Sequence, residues 1–466
     1  MNVVAPLAAG RWVAESEAIL ADGYRFRTLY AAQGSLVRAV FTAPGRATRL
    51  ISIEADGVVP SLVELIPAAG WAEREAHDID GVRFSGHDPL RPLVDHPAAL
   101  PLWTTPVTGP GVHEVAVGPI HAGIIESGHY RFHVVGERIL LLDLRLFYKH
   151  RGLERAAVGS TLNEGLAYAA RACAACSVAN SVAYAQAAEQ LLGLAPAAEM
   201  SRARSALLEL ERLYNHLHDL SAICAGIGFA AGAMVFAGLK ERAQRLNATL
   251  CGHRFLFATV AVGRSDVAFD GEAGRRAAAE VVDLGEVATA TWRQLLFSSS
   301  VQDRFAGAGV LRHEDAVRLG ALGPAARASG ISADTRTESV GLAYDGFASA
   351  VPAAPVGDVA ARAEVRHLEL RATCGILEEL LTAGLQPVRA AGRGALPPPV
   401  GVGRVEGPRG ESICCLEAGS SISRLHLRTA SYANWPAVAQ AVAGNILPEF
   451  PLINKSFELC YACVDR

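Results

Sequence analysis

Arg171-Ala-Cys-Ala-Ala-Cys-Ser177, in the middle of the chain, and Leu459-Cys-Tyr-Ala-Cys-Val464, close to its last residue, decide how this sequence must fold. Cysteines at i and i+3 share one face of a helical turn, so each pair offers two thiolates to one point in space. Bringing the pairs together makes a four-thiolate site and requires the C-terminal segment to dock against the helix that carries Cys173 and Cys176. Thiolates suit soft metals, and zinc, iron and nickel all remain open on the donor set alone. A local zinc ribbon is disfavoured, because its pairs lie within about twenty residues of each other. A thioredoxin-type dithiol is disfavoured too, since neither pair sits beside a βαβ unit.

The rest of the composition bounds the surroundings of such a site. With 466 residues the chain exceeds one ordinary core, and 51% apolar against 19% charged residues is a globular balance. A net charge of -4 gives no basic footprint for nucleic acid or an anionic membrane surface. Nine cysteines are an odd number, and the first residues carry no charged and apolar leader pattern. Free or metal-bound thiols in the reducing cytoplasm are the expectation. Leu220 to Leu239 is uncharged over a length that could span a bilayer, but its Gly- and Ala-rich character and the amphipathic segment before it favour a buried helix.

Residues 1–105 alternate β-like runs, Ser35 to Phe41 and Thr48 to Ile53, with a helical segment expected near Val59 to Ile66. The Pro-rich stretch Pro97 to Pro110 reads as a linker. Residues 106–466 open with Val112 to Val117 and a hairpin turning at Gly136-Glu137. Helices are then expected over Gly165 to Leu192 behind an Asn163 cap, Arg202 to Ile223 behind a Ser201 cap, Lys240 to Val262, Gly274 to Phe297 and Asp358 to Leu381. A β-like segment, Ser412 to Thr429, precedes the last cysteine pair. The fold class is α+β: a mainly helical bundle with β-hairpin appendages, preceded by a small α+β domain.

Several further runs, in order, carry a resemblance: Pro60 to Asp78, Gly81 to Arg91, Gly118 to His129, His150-Arg-Gly-Leu-Glu154, Gly323 to Gly330, Gly357 to Arg362, Pro408-Arg-Gly-Glu411, Asn434-Trp-Pro436 and Phe450 to Phe457. Together with the cysteine pairs, the chain resembles the large subunit of group 4 membrane-associated nickel-iron hydrogenases of the formate hydrogenlyase and hydrogenase-4 type. Residues 1–105 resemble the complex I-type domain often fused ahead of that subunit, and the resemblance extends to the quinone-pocket subunit of respiratory complex I.

The resemblance implies a Ni-Fe centre with CO and CN ligands and reversible heterolytic cleavage of hydrogen. Cys173 and Cys460 are implied as terminal nickel ligands, Cys176 and Cys463 as bridges to iron. Glu154 matches a proton-relay carboxylate and Arg409 an arginine packed on the diatomic ligands. Arg171 and the position of Asn180 belong to the surroundings of the metal. His121 and His129 lie on the hairpin that reaches a quinone pocket in respiratory relatives. Implied partners are a small subunit carrying iron-sulfur clusters, membrane subunits and a formate or CO dehydrogenase module, with the chain peripheral on the inner face of the cell membrane.

Three neighbours of the cysteines depart from the family pattern: Ala174 replaces a glycine, Asn180 a histidine, and Glu458-Leu459 an Asp-Pro. A hydrogenase-like or complex I-like redox scaffold without hydrogen turnover is the alternative these departures keep open. Family members commonly lose an extension just beyond the position where this chain ends, at Arg466. His216 and His218, two apart on a helix, face different sides and are not expected to share a metal. Asp358 and Arg362 read as a helix-surface pair.

Overall fold

The structure, a computed structural model, describes residues 5–55, 57–122, 125–338, 341–392 and 397–466. Gly123 and Ile124 of the Gly118 to His129 run, and Met1 to Val4, lie outside the described residues.

The N-terminal layer is an antiparallel sheet of β1 (Arg25–Ala32), β2 (Leu36–Thr42) and β3 (Arg49–Glu54), in that order. Helices α1 (Ala9–Ala21) and α2 (Gly70–Asp80) complete it, and Trp12, Val37, Phe41, Val59 and Leu62 fill a core of its own. The helix expected near Val59 to Ile66 does not form. Val58–Pro60 is a short strand, and Pro67 forces the residue before it, Ile66, into an extended conformation (φ -133°, ψ 82°), so helix begins only beyond it. Buried Glu73 of α2 secures the irregular stretch, accepting from Ser61 Oγ and Leu62 N, both at 2.7 Å.

The Pro-rich stretch is packed rather than free. Leu100–Trp103 makes a helical turn whose Trp103 is buried, and Thr105 N donates to Asp143 at 2.8 Å. Asp143 belongs to the next sheet, β4 (Val112–Val117), β5 (His129–Val135) and β6 (Arg138–Arg145), whose β5–β6 turn is at Gly136-Glu137 as expected.

A helical body follows: α3 (Leu153–Ala156), α4 (Leu162–Ala170), α5 (Ser177–Leu191), α6 (Ala198–Gly226), α7 (Ala230–Cys251), α8 (Gly271–Leu296), α9 (Gly323–Ala328) and α10 (Val359–Thr382). The single helix expected from Gly165 to Leu192 is two, interrupted at the cysteines. Its cap is Thr161, in a reciprocal pair with Glu164, because Asn163 already lies inside the first turn. Ser201 likewise lies inside α6, which starts at Ala198. The uncharged Leu220 to Leu239 stretch is not one buried helix but the end of α6, a turn and the start of α7, with Met234 73% exposed. Helix α7 ends at Cys251 rather than Val262, on left-handed Gly252. Among the described residues no helix is long and apolar enough to cross a membrane.

A last sheet, β7 (Gly401–Gly407), β8 (Gly410–Ala418) and β9 (Ile422–Arg428), is almost wholly buried against α5. The small residues on both sides explain the closeness: a Cβ at Gly403 would stand 1.8 Å from the Ala183 carbonyl oxygen, and one at Gly401 2.1 Å from that of Ala187. Helices α11 (Ala430–Val442), α12 (Phe450–Phe457) and α13 (Ala462–Asp465) close the chain over the bundle.

Asp358 and Arg362 are not a surface pair. Asp358 caps α10 by accepting from Ala361 N, and fully buried Arg362 donates to Ser456 Oγ and to the carbonyls of Gly357 and Gly309.

Candidate metal centre

The break between α4 and α5 presents the first cysteine pair. Cys173 is extended (φ -157°, ψ 135°), a 3-10 turn spans Ala174–Cys176, and α5 starts at Ser177. Glu211 of α6 holds this corner, accepting from Val178 N at 2.7 Å and Ala179 N at 3.1 Å, two donors that a helix start leaves without partners. Burial, and next the nearby Cys176 sulfur, push the Glu211 carboxyl well above its ordinary range. Asn215, one turn on, donates from Nδ2 to the Ala175 carbonyl at 2.8 Å.

The second pair arrives on the segment after α12, whose cap Glu458 is left-handed (φ 48°), a conformation uncommon outside glycine and asparagine. Cys460 N donates to Ser431 Oγ at 3.0 Å, Thr429 Oγ1 to the Cys463 carbonyl at 3.1 Å, and Ala462 N to Glu126 at 3.0 Å. Arg151 ties the two cysteine segments together: its guanidinium reaches the carbonyls of Arg171 (2.9 Å), Ala172 (2.7 Å) and Ala462 (2.9 Å). Arg151 lies in the His150 to Glu154 run, where only the glutamate drew notice in the sequence.

The four thiols meet. Cys173 and Cys460 bring their Sγ atoms to 3.1 Å, beyond the roughly 2 Å of a disulfide, and the sulfurs of Cys173, Cys460 and Cys463 lie within 4.8 Å of one another. Cys176 packs into the same buried cluster. Hydrogen bonds from Cys173 and then from Cys463, with the Arg409 cation adding, hold Cys176 and Cys460 well below the ordinary thiol range. Sharing their protons in these bonds raises Cys173 and Cys463. Four cysteine sulfurs in one buried cluster, two of them held toward the thiolate form, make a soft donor set. It fits a thiolate-bound metal centre.

Arg409 stands over the sulfurs from the β7–β8 turn, its Nη1 4.0 Å from Cys176 Sγ and 2.8 Å from Asn215 Oδ1, its Nη2 3.3 Å from Asp219. Its Nε donates to the Glu458 carbonyl. Arg366 shares Asp219 at 3.0 Å. Burial works against an ionised Asp219, but Arg409 foremost keeps its carboxyl far below the usual range. Space for the turn comes from Gly323: at φ +60° it sits where a Cβ would be 2.3 Å from the Arg409 carbonyl oxygen. Asn434 Nδ2 donates to that same oxygen at 3.3 Å. Asp219, Asn215 and Arg151 surround the thiols and their arginine, and the sequence reading did not single them out. For Asn215 and Asp219 the available signal was Glu209 to Asp219, dense in polar and charged residues on an apolar helix; Arg151 had none beyond its place in the His150 to Glu154 run.

Other expected residues stand further out. Glu154 accepts from Leu427 N at 2.8 Å and Arg466 Nε at 2.7 Å, with His426 Nδ1 at 3.6 Å and Arg424 at 3.8 Å. Burial would raise its carboxyl, but Arg466 and then His426 keep it ionised. Asn180 is 1% exposed, one helical turn after Cys176, and neither amide atom has a partner among the described residues. The Arg171 side chain is exposed and lines a cleft of about 620 Å³ between α4 and the segment after α7. His121 bonds the Gly128 carbonyl at 2.8 Å in the loop before β5, and His129 opens β5 with its ring edge-on to Trp103 at 5.4 Å. Burial, then Arg131, lowers the His129 ring below its ordinary value. His216 is buried on Glu369 at 2.9 Å while half-exposed His218 faces Glu458 at 3.3 Å, so the two do not share a site.

Comparison with known proteins gives this geometry a family. Residues 226–400 match the family described as respiratory-chain NADH dehydrogenase, 49 Kd subunit, and residues 24–104 the respiratory-chain NADH dehydrogenase, 30 Kd subunit. Formate hydrogenlyase subunit 5 of Escherichia coli K12 is 32% identical over 87% of this chain and 77% of its own length. Hydrogenase-4 component G of the same organism is 31% identical over 87% and 76%. A chain of the membrane-bound sulfane sulfur reductase, an archaeal respiratory membrane complex, shares the fold with a TM-score of 0.69 at 24% identity, over 76% of this chain and 99% of that one. The relatives are oxidoreductases, and this chain belongs to the family of group 4 hydrogenase large subunits and complex I 49 kDa subunits, with a complex I 30 kDa-type segment ahead of it.

Proposed function

We propose that this chain is the metal-bearing large subunit of a membrane-associated nickel-iron hydrogenase complex and cleaves or forms hydrogen heterolytically. The observation that carries this reading is the convergence of four thiols, drawn from positions 287 residues apart, beneath the buried Arg409 guanidinium. Cys173 and Cys460 would hold nickel, with Cys176 and Cys463 shared with an iron carrying CO and CN. Such a centre, when bound, supplies the redox and hydrogen-activating chemistry.

The chain's own residues supply charge, shape and a proton route. Arg409 offsets the anionic charge of the thiolates, and Asn215 and Asp219 fix its direction. Ala175 and Ala462 line the sulfurs with methyl groups and keep bulk water off them. In Glu154, Oε1 is committed to Leu427 and Arg466, leaving Oε2, which faces His426, as the oxygen that takes up and passes on a proton.

Asn180 and Arg171 flank the first cysteine pair, and His121, bonded to Gly128, and His129 lie next to Tyr130, whose hydroxyl meets that of Tyr461. Electrons enter or leave through a partner iron-sulfur subunit, and membrane subunits with a formate or CO dehydrogenase module complete the assembly at the inner face of the membrane.

A second reading, a redox scaffold with no hydrogen turnover, rests on the two unpartnered amide atoms of Asn180, where the family pattern has histidine. Exchange of deuterium gas with water by the purified complex separates the two. Exchange supports the hydrogenase reading, and its absence in a nickel-loaded sample supports the scaffold.

A further inference from the structure

Arg466 is 1% exposed and lies between two carboxylates that come from different layers of the molecule. Its Nε donates to Glu154 of α3 at 2.7 Å, and its Nη2 donates to Glu75 of α2, in the N-terminal layer, also at 2.7 Å. Its guanidinium lies 4.7 Å from the ring centre of Tyr432. Helix α13, which carries Cys463, is only four residues long and has no cooperative stability of its own. The segment has other side-chain ties, Tyr461 to the Tyr130 hydroxyl, Cys460 to Cys173 and Glu458 to His218, and ties to its backbone: Arg409, Arg151 and Thr429 to carbonyls, Ser431 and Glu126 to N–H groups. Arg151 and Glu126 are exposed and compete with water. The Arg466 contacts are the ones between full, opposite charges held away from solvent, and removing Glu75 leaves the buried guanidinium with Glu154 as the one carboxylate bonded to it among the described residues.

We propose that Glu75 is a positioning residue for the thiolate site: it anchors Arg466, and through it keeps the segment bearing Cys460 and Cys463 closed over Cys173 and Cys176. The N-terminal layer thereby takes part in building the site although it contributes no ligand. Neighbouring contacts hold the two layers in register at the same seam, with Thr28 Oγ1 2.8 Å from His426 Nε2 and Arg424 reaching Asp80 of α2 at 3.6 Å. The proposal rests on the reading of the four thiols as one metal site, but its test needs no metal.

The test is hydrogen exchange of residues 458–466, with alkylation of Cys460 and Cys463, on the full chain without added metal and again after nickel loading. Glu75→Ala is expected to speed exchange in this segment by about tenfold or more, to raise alkylation of both cysteines and to weaken nickel retention in proportion. Glu75→Asp, which restores the charge, recovers part of the protection. In an Arg466→Met background, Glu75→Ala adds nothing further, because both changes cut the same link. Unchanged exchange in Glu75→Ala overturns the proposal, as do additive effects with Arg466→Met. Equal loss of protection in α2 itself also overturns it, since Glu75 would then act on its own layer. Tail protection that depends on Glu75 in a chain that never retains nickel leaves the latch standing and sinks the metal reading instead.

Discussion

Cys173 and Cys460, 287 residues apart in sequence, bring their sulfurs to within 3.1 Å. Their approach depends on two arginines of opposite role: Arg151 joins the backbones of the two cysteine segments, and Arg409 places charge on the sulfurs.

Replacing one thiol tests the ligand set. Cys460→Ser is expected to abolish nickel retention, with the helical content by circular dichroism unchanged, because the Cys460 backbone bond to Ser431 is kept. Nickel bound in equal amount by the variant would remove Cys460 from the ligands.

Arg409 is worth more than its contact with sulfur. Arg409→Met leaves Asp219 with Arg366 as its remaining close cation and is expected to cost about 3 kcal/mol of stability, read from urea unfolding. A loss below about 1 kcal/mol would mean that the buried pair contributes little.

The turn that carries Arg409 depends on a glycine. Gly323→Ala forces a methyl group against the Arg409 carbonyl at a left-handed position. It is expected to cost about 2 kcal/mol or more and to lower metal retention, checked by thermal unfolding and metal analysis of one sample.

Arg409 was reached only through the family resemblance of its run, whereas the cysteine pairs of the candidate site were legible in the sequence because thiols at i, i+3 are a local pattern. Asp270 and Asp358 as caps of α8 and α10 were within reach for the same reason, and the expected helices there hold to within a few residues. What was not legible depends on partners far away. Glu211 stabilises the break before α5 from another helix, so periodicity across Gly165 to Leu192 gave no sign of it. Arg362 looked like a surface residue because its acceptors, Gly309, Gly357 and Ser456, come from three separate segments. The Val59 to Ile66 stretch misled because its apolar spacing was read without the proline that follows it.

Acid should weaken the bundle through His367. This ring is 5% exposed, stacked on Trp292 at 5.0 Å, and burial, with Arg371 and Arg293 adding, lowers its pKa from 6.5 to about 4. Between those values the unfolded chain binds the proton and the folded chain does not. The stabilisation is therefore complete above pH 6.5 and falls with acidification, by about 3 kcal/mol at pH 4. His367→Phe should flatten the pH dependence of urea unfolding over this window, and an unchanged slope would assign it to other groups.

Glu154 carries the proposed proton step. Glu154→Gln is expected to slow hydrogen–deuterium exchange at least tenfold while nickel stays bound, since the amide keeps the shape but not the basicity of the carboxylate. Unchanged exchange with nickel bound would remove Glu154 from the route.

The most direct measurement is the metal content of the purified complex together with its infrared spectrum. The nickel-iron hydrogenase reading predicts nickel and iron in equal amounts with carbonyl and cyanide stretches, all lost in Cys460→Ser; zinc alone, or neither metal and no such bands, would contradict it.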